Sequence, residues 1–164
     1  MGRAGSKSQE YPAPEFGGPI MDMKKISALV IDDNSDVLTL FKTLFFAEGI
    51  ACDTAHNGHE GLEKLGQNRY DIVFLDLIMP DVDGETLLGI IHRKFPGLHV
   101  VVMSVQDDDG VINGIMALGA KAYLVKPSSA AAILDCVRNV ERHRTADEVR
   151  ADLLNIRPQE SAGK

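Results

Sequence analysis

From Lys25 onward, five short runs rich in aliphatic and β-branched residues alternate with longer amphipathic stretches. Such alternation admits few folds: it predicts a parallel sheet with helices covering it. The strand candidates are Ile26–Ile31, Ile50–Ala55, Ile72–Leu75, His99–Met103 and Ala122–Val125. The helix candidates are Ser35–Ala47, His59–Gly66, Gly84–Lys94, Asp108–Leu118 and Ser129–Glu141. In the first helix, Val37, Leu38, Phe41, Leu44 and Phe45 recur near the helical period of about 3.6 and make a core-facing stripe. Asn34 or Ser35 suits its N-cap, and Gly49, Gly66 and Gly119 stand where C-terminal caps belong. Because crossovers are right-handed, the chain should wind helices onto both sheet faces.

The 164 residues fit one domain, and 45% apolar content suffices for a core. Residues 1–23 read as a flexible leader, natural or vector-derived, with Met21 and Met23 as candidate starts. The folded domain is expected over 24–142 and a tail over 143–164, where Thr145 and Glu148 form a capping box for a short helix bearing Val149, Leu153 and Ile156. Met1-Gly2 with Ser6 matches an N-acylation pattern too short to carry weight. A net charge of -7 disfavours direct nucleic-acid binding. Cys52 and Cys136 lack metal-ligand spacing and read as thiols of a reducing compartment. No apolar run reaches the roughly 18 residues that a membrane span needs, so a cytoplasmic protein is expected.

The stretch "DIVFLDLIMPDVDG" ends an apolar strand in a carboxylate, Asp76. Ligands of open α/β sheets bind beyond the C-terminal strand ends. The first strand ends there in Asp32-Asp33, the third in Asp76, the fourth in Ser104 and the fifth in Lys126. Three converging carboxylates would repel by about 4 kcal/mol per pair at ~4 Å and an effective dielectric near 20. A divalent cation relieves that repulsion, and oxygen-only donors suit Mg²⁺ or Mn²⁺. Lys126 adds a positive charge and Ser104 a hydroxyl for the oxygens of a phosphoryl group. Singly, each residue reads as a turn former or cap; jointly they describe a phosphoryl site.

These pieces resemble the receiver domains of two-component response regulators, over roughly Lys25 to Val140. The resemblance rests on "LVIDDN", "DIVFLDLIMPDVDG", "VVMSV" and "GAKAYLVKP". It implies a flavodoxin-like sheet of strand order 2-1-3-4-5, with five flanking helices. It implies that Asp76 accepts a phosphoryl group from a sensor histidine kinase or histidine phosphotransfer protein. Asp33, Asp76 and the Ile78 backbone carbonyl would then ligate Mg²⁺, with Asp32 acting through water. Lys126 and Ser104 would contact the phosphate, and Ser104 with Tyr123 would form the switch. The face of the fourth helix, fifth strand and fifth helix would meet a downstream protein target, or pair two copies as a homodimer. Three positions qualify the match: Val105 stands where the family commonly has Ala or Gly, and Ile78 and Gln106 occupy positions that tune phosphate loss.

Other motifs carry less. His56 and His59 read as a solvated turn rather than a metal pair. "DVDG" fails as an EF-hand loop because Gly84 comes too early and no Glu closes it. Haloacid-dehalogenase chemistry would want an acid where Ile78 stands, and the Walker-like strand has no GxxxxGK[ST] partner. The rival functions are a metal-dependent phosphohydrolase of a separate substrate and a phosphorylation-independent interaction module. Labelling by a small phosphodonor separates them, because a receiver keeps the label on Asp76 whereas a hydrolase turns over.

Overall fold

The computed structural model describes residues 25–155, with side-chain surroundings through His143. The expected leader, its acylation pattern, and Ile156 and Pro158 of the tail lie outside the described residues. Strands and helices alternate without exception: β1 (Ser27–Ile31), α1 (Ser35–Ala47), β2 (Ala51–Ala55), α2 (Gly58–Gln67), β3 (Ile72–Asp76), α3 (Gly84–Lys94), β4 (His99–Ser104), α4 (Asp109–Ala117), β5 (Ala122–Val125) and α5 (Ala130–Asn155). Every strand pairing is parallel, and the order is β2-β1-β3-β4-β5, the expected doubly wound sheet.

Side-chain parity explains why the central strands are apolar without interruption. Leu29, Ile31, Val73, Leu75, Val100 and Val102 pack with Leu65, Leu87, Leu88, Ile91 and Ile115 of α2, α3 and α4. The alternate residues Ala28, Val30, Ile72, Phe74, Val101 and Met103 pack with Leu38, Phe41 and Phe45 of α1 and Ile133, Val137 and Val140 of α5. Both faces are dry, so neither parity has a polar option. Phe41 sits 5.4 Å from Phe45 and 5.0 Å from Phe74 between ring centroids, an edge-on and a tilted contact.

The caps follow the sequence closely, with one correction. Asn34 accepts the Asp36 amide at 2.9 Å, and Gly49 and Gly119 take positive φ where α1 and α4 end. Gly66 does not cap α2. The helix continues to Gln67, and the Asn68 amide still bonds to the Lys64 carbonyl at 2.9 Å before the chain extends. No left-handed residue is needed there. The helix expected from Thr145 exists as backbone but continues α5 unbroken, because no Gly or Pro interrupts Ala130–Asn155. Among the described residues no helix is long and apolar enough to cross a membrane.

His99 opens β4 half-buried, with its ring edge-on to His143 at 5.7 Å. Burial, then the charges of His143 and Lys121, hold its pKa below the ordinary value of 6.5. The unfolded chain therefore protonates first, and stability present above about pH 6.5 is lost as pH falls through the lowered folded value. The urea midpoint should fall between about pH 7 and pH 5, and less steeply in His99→Gln.

Candidate functional site

Register assembles the site. β1 and β3 pair Ile31 with Leu75, so the next step along both strands sets Asp32 beside Asp76. Both continue the parity of Val30 and Phe74, and both are buried, at 0% and 5% exposure. The Asp32 amide still bonds to the Ala55 carbonyl at 3.1 Å, which carries the ladder one residue past β1. Asp33, next in the chain, is exposed, yet carboxylate oxygens of Asp32, Asp33 and Asp76 all lie within 4.8 Å of one another. The sheet reverses its order between β1 and β3, so this cluster occupies the switch-point crevice.

Lys126 follows β5, at the far edge of the sheet, and its amide bonds to the Ser104 carbonyl at 2.7 Å. From there its ammonium bridges Asp32 at 2.6 Å and Asp76 at 3.1 Å. Burial works against that ammonium, but the bonds and charges of the two aspartates outweigh it and raise its pKa. Lys126 therefore stays charged. Asp76 shifts the other way from a typical paired acid: burial and the nearby Asp32 raise its pKa against the opposing pull of Lys126 and the Ile78 amide. Both Asp32 oxygens are occupied, one by Lys126 and the other by the Asn34 amide at 2.9 Å.

Ser104 and Tyr123, the residues expected to form a switch, are linked through one intermediary. Ser104, fully buried at the end of β4, accepts the Gln106 amide at 3.2 Å through its hydroxyl oxygen. Tyr123, half-buried on β5, donates its hydroxyl to the Gln106 carbonyl at 2.9 Å. The resemblance gives Gln106 only a place among positions that tune phosphate loss; main-chain bonds leave no residue-type signal. Val105 is 66% exposed, so its branched side chain stands mostly in solvent instead of filling space beside Ser104.

The β3–α3 loop carries Ile78, 53% exposed, whose amide bonds to the Asp76 carboxylate. The Gly84 amide closes this loop onto the Leu77 carbonyl at 3.2 Å, and a Cβ on Gly84 would stand 2.4 Å from that carbonyl oxygen. Glycine is required there. His56 and His59 form no metal pair among the described residues, but His59 does meet a carboxylate remote in sequence, Asp81, at 3.3 Å.

Carboxylates, rather than a glycine-rich phosphate loop, fill the β1/β3 crevice, and this separates the molecule from nucleotide binders of related winding and places it in the receiver class. The chain belongs to the response regulator receiver domain family, whose model matches residues 28–138. It is 33% identical over 106 residues to the DNA-binding transcriptional regulator NtrC of Proteus hauseri, a match covering 64% of this chain and 22% of that protein. It is 29% identical over 118 residues to the chemotaxis protein CheY of Listeria monocytogenes, covering 71% of this chain and 99% of that one. Among solved structures, the CheX–CheY–BeF3–Mg²⁺ complex of Borrelia burgdorferi superposes with a TM-score of 0.67 at 30% identity, covering 70% of this chain and 88% of that one. The chain thus spans about a fifth of NtrC, and 52% of the uncharacterized regulatory protein YclJ of Bacillus subtilis.

Removing the bridging ammonium strands a buried carboxylate pair. Lys126→Met should destabilise the metal-free protein by about 3 kcal/mol, read by urea unfolding in the presence of a chelator.

Proposed function

We propose that this receiver accepts a phosphoryl group on Asp76 from a phosphohistidine of a sensor histidine kinase or histidine phosphotransfer protein, and reports it through an altered protein-binding face. The observation that carries the reading is the Asp76 carboxylate at the end of β3, 3.1 Å from the Lys126 ammonium and clustered with Asp32 and Asp33. An Asp76 oxygen attacks phosphorus in line while the donor imidazole nitrogen leaves, and the product is an aspartyl phosphate. Such transfer needs little beyond positioning and charge neutralisation. The strand fixes the nucleophile, and Lys126 supplies a charge that remains protonated throughout.

The donor set fits a hard divalent cation, being all oxygen and mutually repulsive. Asp33, Asp76 and the Ile78 carbonyl would hold Mg²⁺ or Mn²⁺ directly, and Asp32, already bonded to Lys126, would act through water. When bound, the cation neutralises charge on the phosphoryl oxygens. The Mg²⁺ and BeF3 present with CheY in the Borrelia complex support this reading. The activity is confined to the domain's own aspartate, with no separate substrate turned over.

Ser104 and Tyr123 form the switch. Drawing the Ser104 hydroxyl toward a phosphoryl oxygen takes it from the Gln106 amide, and Tyr123 holds that same residue's carbonyl. Shifting a two-state balance from 1:99 to 99:1 takes about 5.5 kcal/mol of differential interaction. The exposed apolar residues Met116 and Leu118, near the end of α4, and Val125 on β5 mark the face that would meet a downstream target.

With Mg²⁺ and acetyl phosphate, the wild type should gain one phosphoryl group by intact mass, and Asp76→Asn none. Ile78→Asn, which gives an attacking water a polar partner, should shorten the label's lifetime several-fold; an unchanged lifetime would refute a role for Ile78. Phosphorylation-dependent pairing of two copies through the same face predicts faster sedimentation with a phosphoryl mimic than without.

A further inference from the structure

The loop following Asp76 is tied at a second place, outside the acid cluster. Asp81 Oδ2 accepts the Gly58 amide at 3.0 Å and lies 3.3 Å from His59 Nδ1. Gly58 is the first residue of α2, so its amide has no carbonyl partner within the helix. The other members of this cap are local: Asn57 Oδ1 accepts the Glu60 amide at 2.8 Å, and Glu60 Oε2 accepts the His56 amide at 2.7 Å. Asp81 completes the cap from 23 residues away, on the loop that also carries Ile78. A carboxylate is well placed at the positive end of a helix.

The same junction is closely packed. A Cβ on Gly58 would stand 3.0 Å from Leu87 Cδ2 and 3.1 Å from Val82 Cβ, so α2 already rests against the loop and α3. Ile78, Met79 and Pro80 therefore run between two ties, the Leu77–Gly84 closure on one side and the Asp81–Gly58 bond on the other. Met79 is buried along this arc, whereas Ile78 is not. The Ile78 side chain contributes little packing, so its backbone is placed by the Asp76 carboxylate and by the ties at either end of the arc.

We propose that Asp81 is a positioning residue for the cation site: by tying the Ile78-bearing loop to the first turn of α2, it sets cation affinity without touching the cation. This rests on the reading of Asp33, Asp76 and Ile78 as the ligands. Outer partners of metal ligands commonly govern affinity by an order of magnitude or more. Asp81 acts through backbone, so the effect should fall at the low end.

The test is a titration of the full chain with Mn²⁺ alone, following the electron paramagnetic resonance of free ion, with the metal-free unfolding midpoint of each variant recorded alongside. Asp81→Ala lies on an exposed loop and should fold, yet bind Mn²⁺ about five- to tenfold more weakly. Asp81→Asn keeps an oxygen for the Gly58 amide and should bind within about twofold of wild type, since Asn and Asp cap helices equally well. A merely structural role would lower the midpoint of Asp81→Ala and leave its affinity at the wild-type value, which would overturn the proposal. So would an Asp81→Asn affinity as weak as that of Asp81→Ala. Wild-type affinity in Asp76→Asn or Asp33→Asn would instead remove the ligand reading itself, and the proposal with it.

Discussion

The pairing of β1 with β3 is the constraint on which the site depends. With Ile31 opposite Leu75, Asp32 and Asp76 emerge side by side on one parity. A slip of one residue would send one carboxylate to the other face and break the apolar alternation that fills both layers. Two acids brought together in this way repel, and the nearest relief is Lys126, delivered from the opposite edge of the sheet. The sheet's outer strand is thus bound electrostatically to its middle. The hydrophobic layers hold the register, and the register creates the charge problem that Lys126 partly solves.

The cluster has a closed side and an open side. Asp32 is buried and its oxygens are taken by the Asn34 amide and the Lys126 ammonium. Ser104 is buried and bonded to Gln106. Asp33 and Ile78 face solvent. A small hydrated ion can approach from that open side, while moving Asp32 would leave a buried carboxylate unpaired. Burial also lifts the pKa of Asp76, so its carboxylate is held in a less comfortable ionised state than that of a surface aspartate.

Much of this was legible in the sequence. Doubly apolar strands, helical periodicity and glycines at Gly49 and Gly119 located every element to within a residue, except the end of α5, which runs past the expected Glu141 to Asn155 because no Gly or Pro stops it. Acids, hydroxyl and lysine at separate strand ends pointed to the crevice. Three features stayed hidden for physical reasons. The end of α2 passed Gly66 because Asn68 could finish the helix without a left-handed residue. The bond between Asp81 and the start of α2 joins segments 23 residues apart through a main-chain donor, which no spacing rule detects. The Ser104–Gln106–Tyr123 connection likewise runs through backbone atoms.

That last connection has a consequence for variation at position 106. The amide and carbonyl of Gln106 do the linking, and every amino acid except proline supplies both. The glutamine side chain, exposed and uninvolved in these bonds, is therefore at liberty to diversify while the mechanical link between pocket and sheet edge persists. Proline alone would cut it, by removing the hydrogen that Ser104 receives.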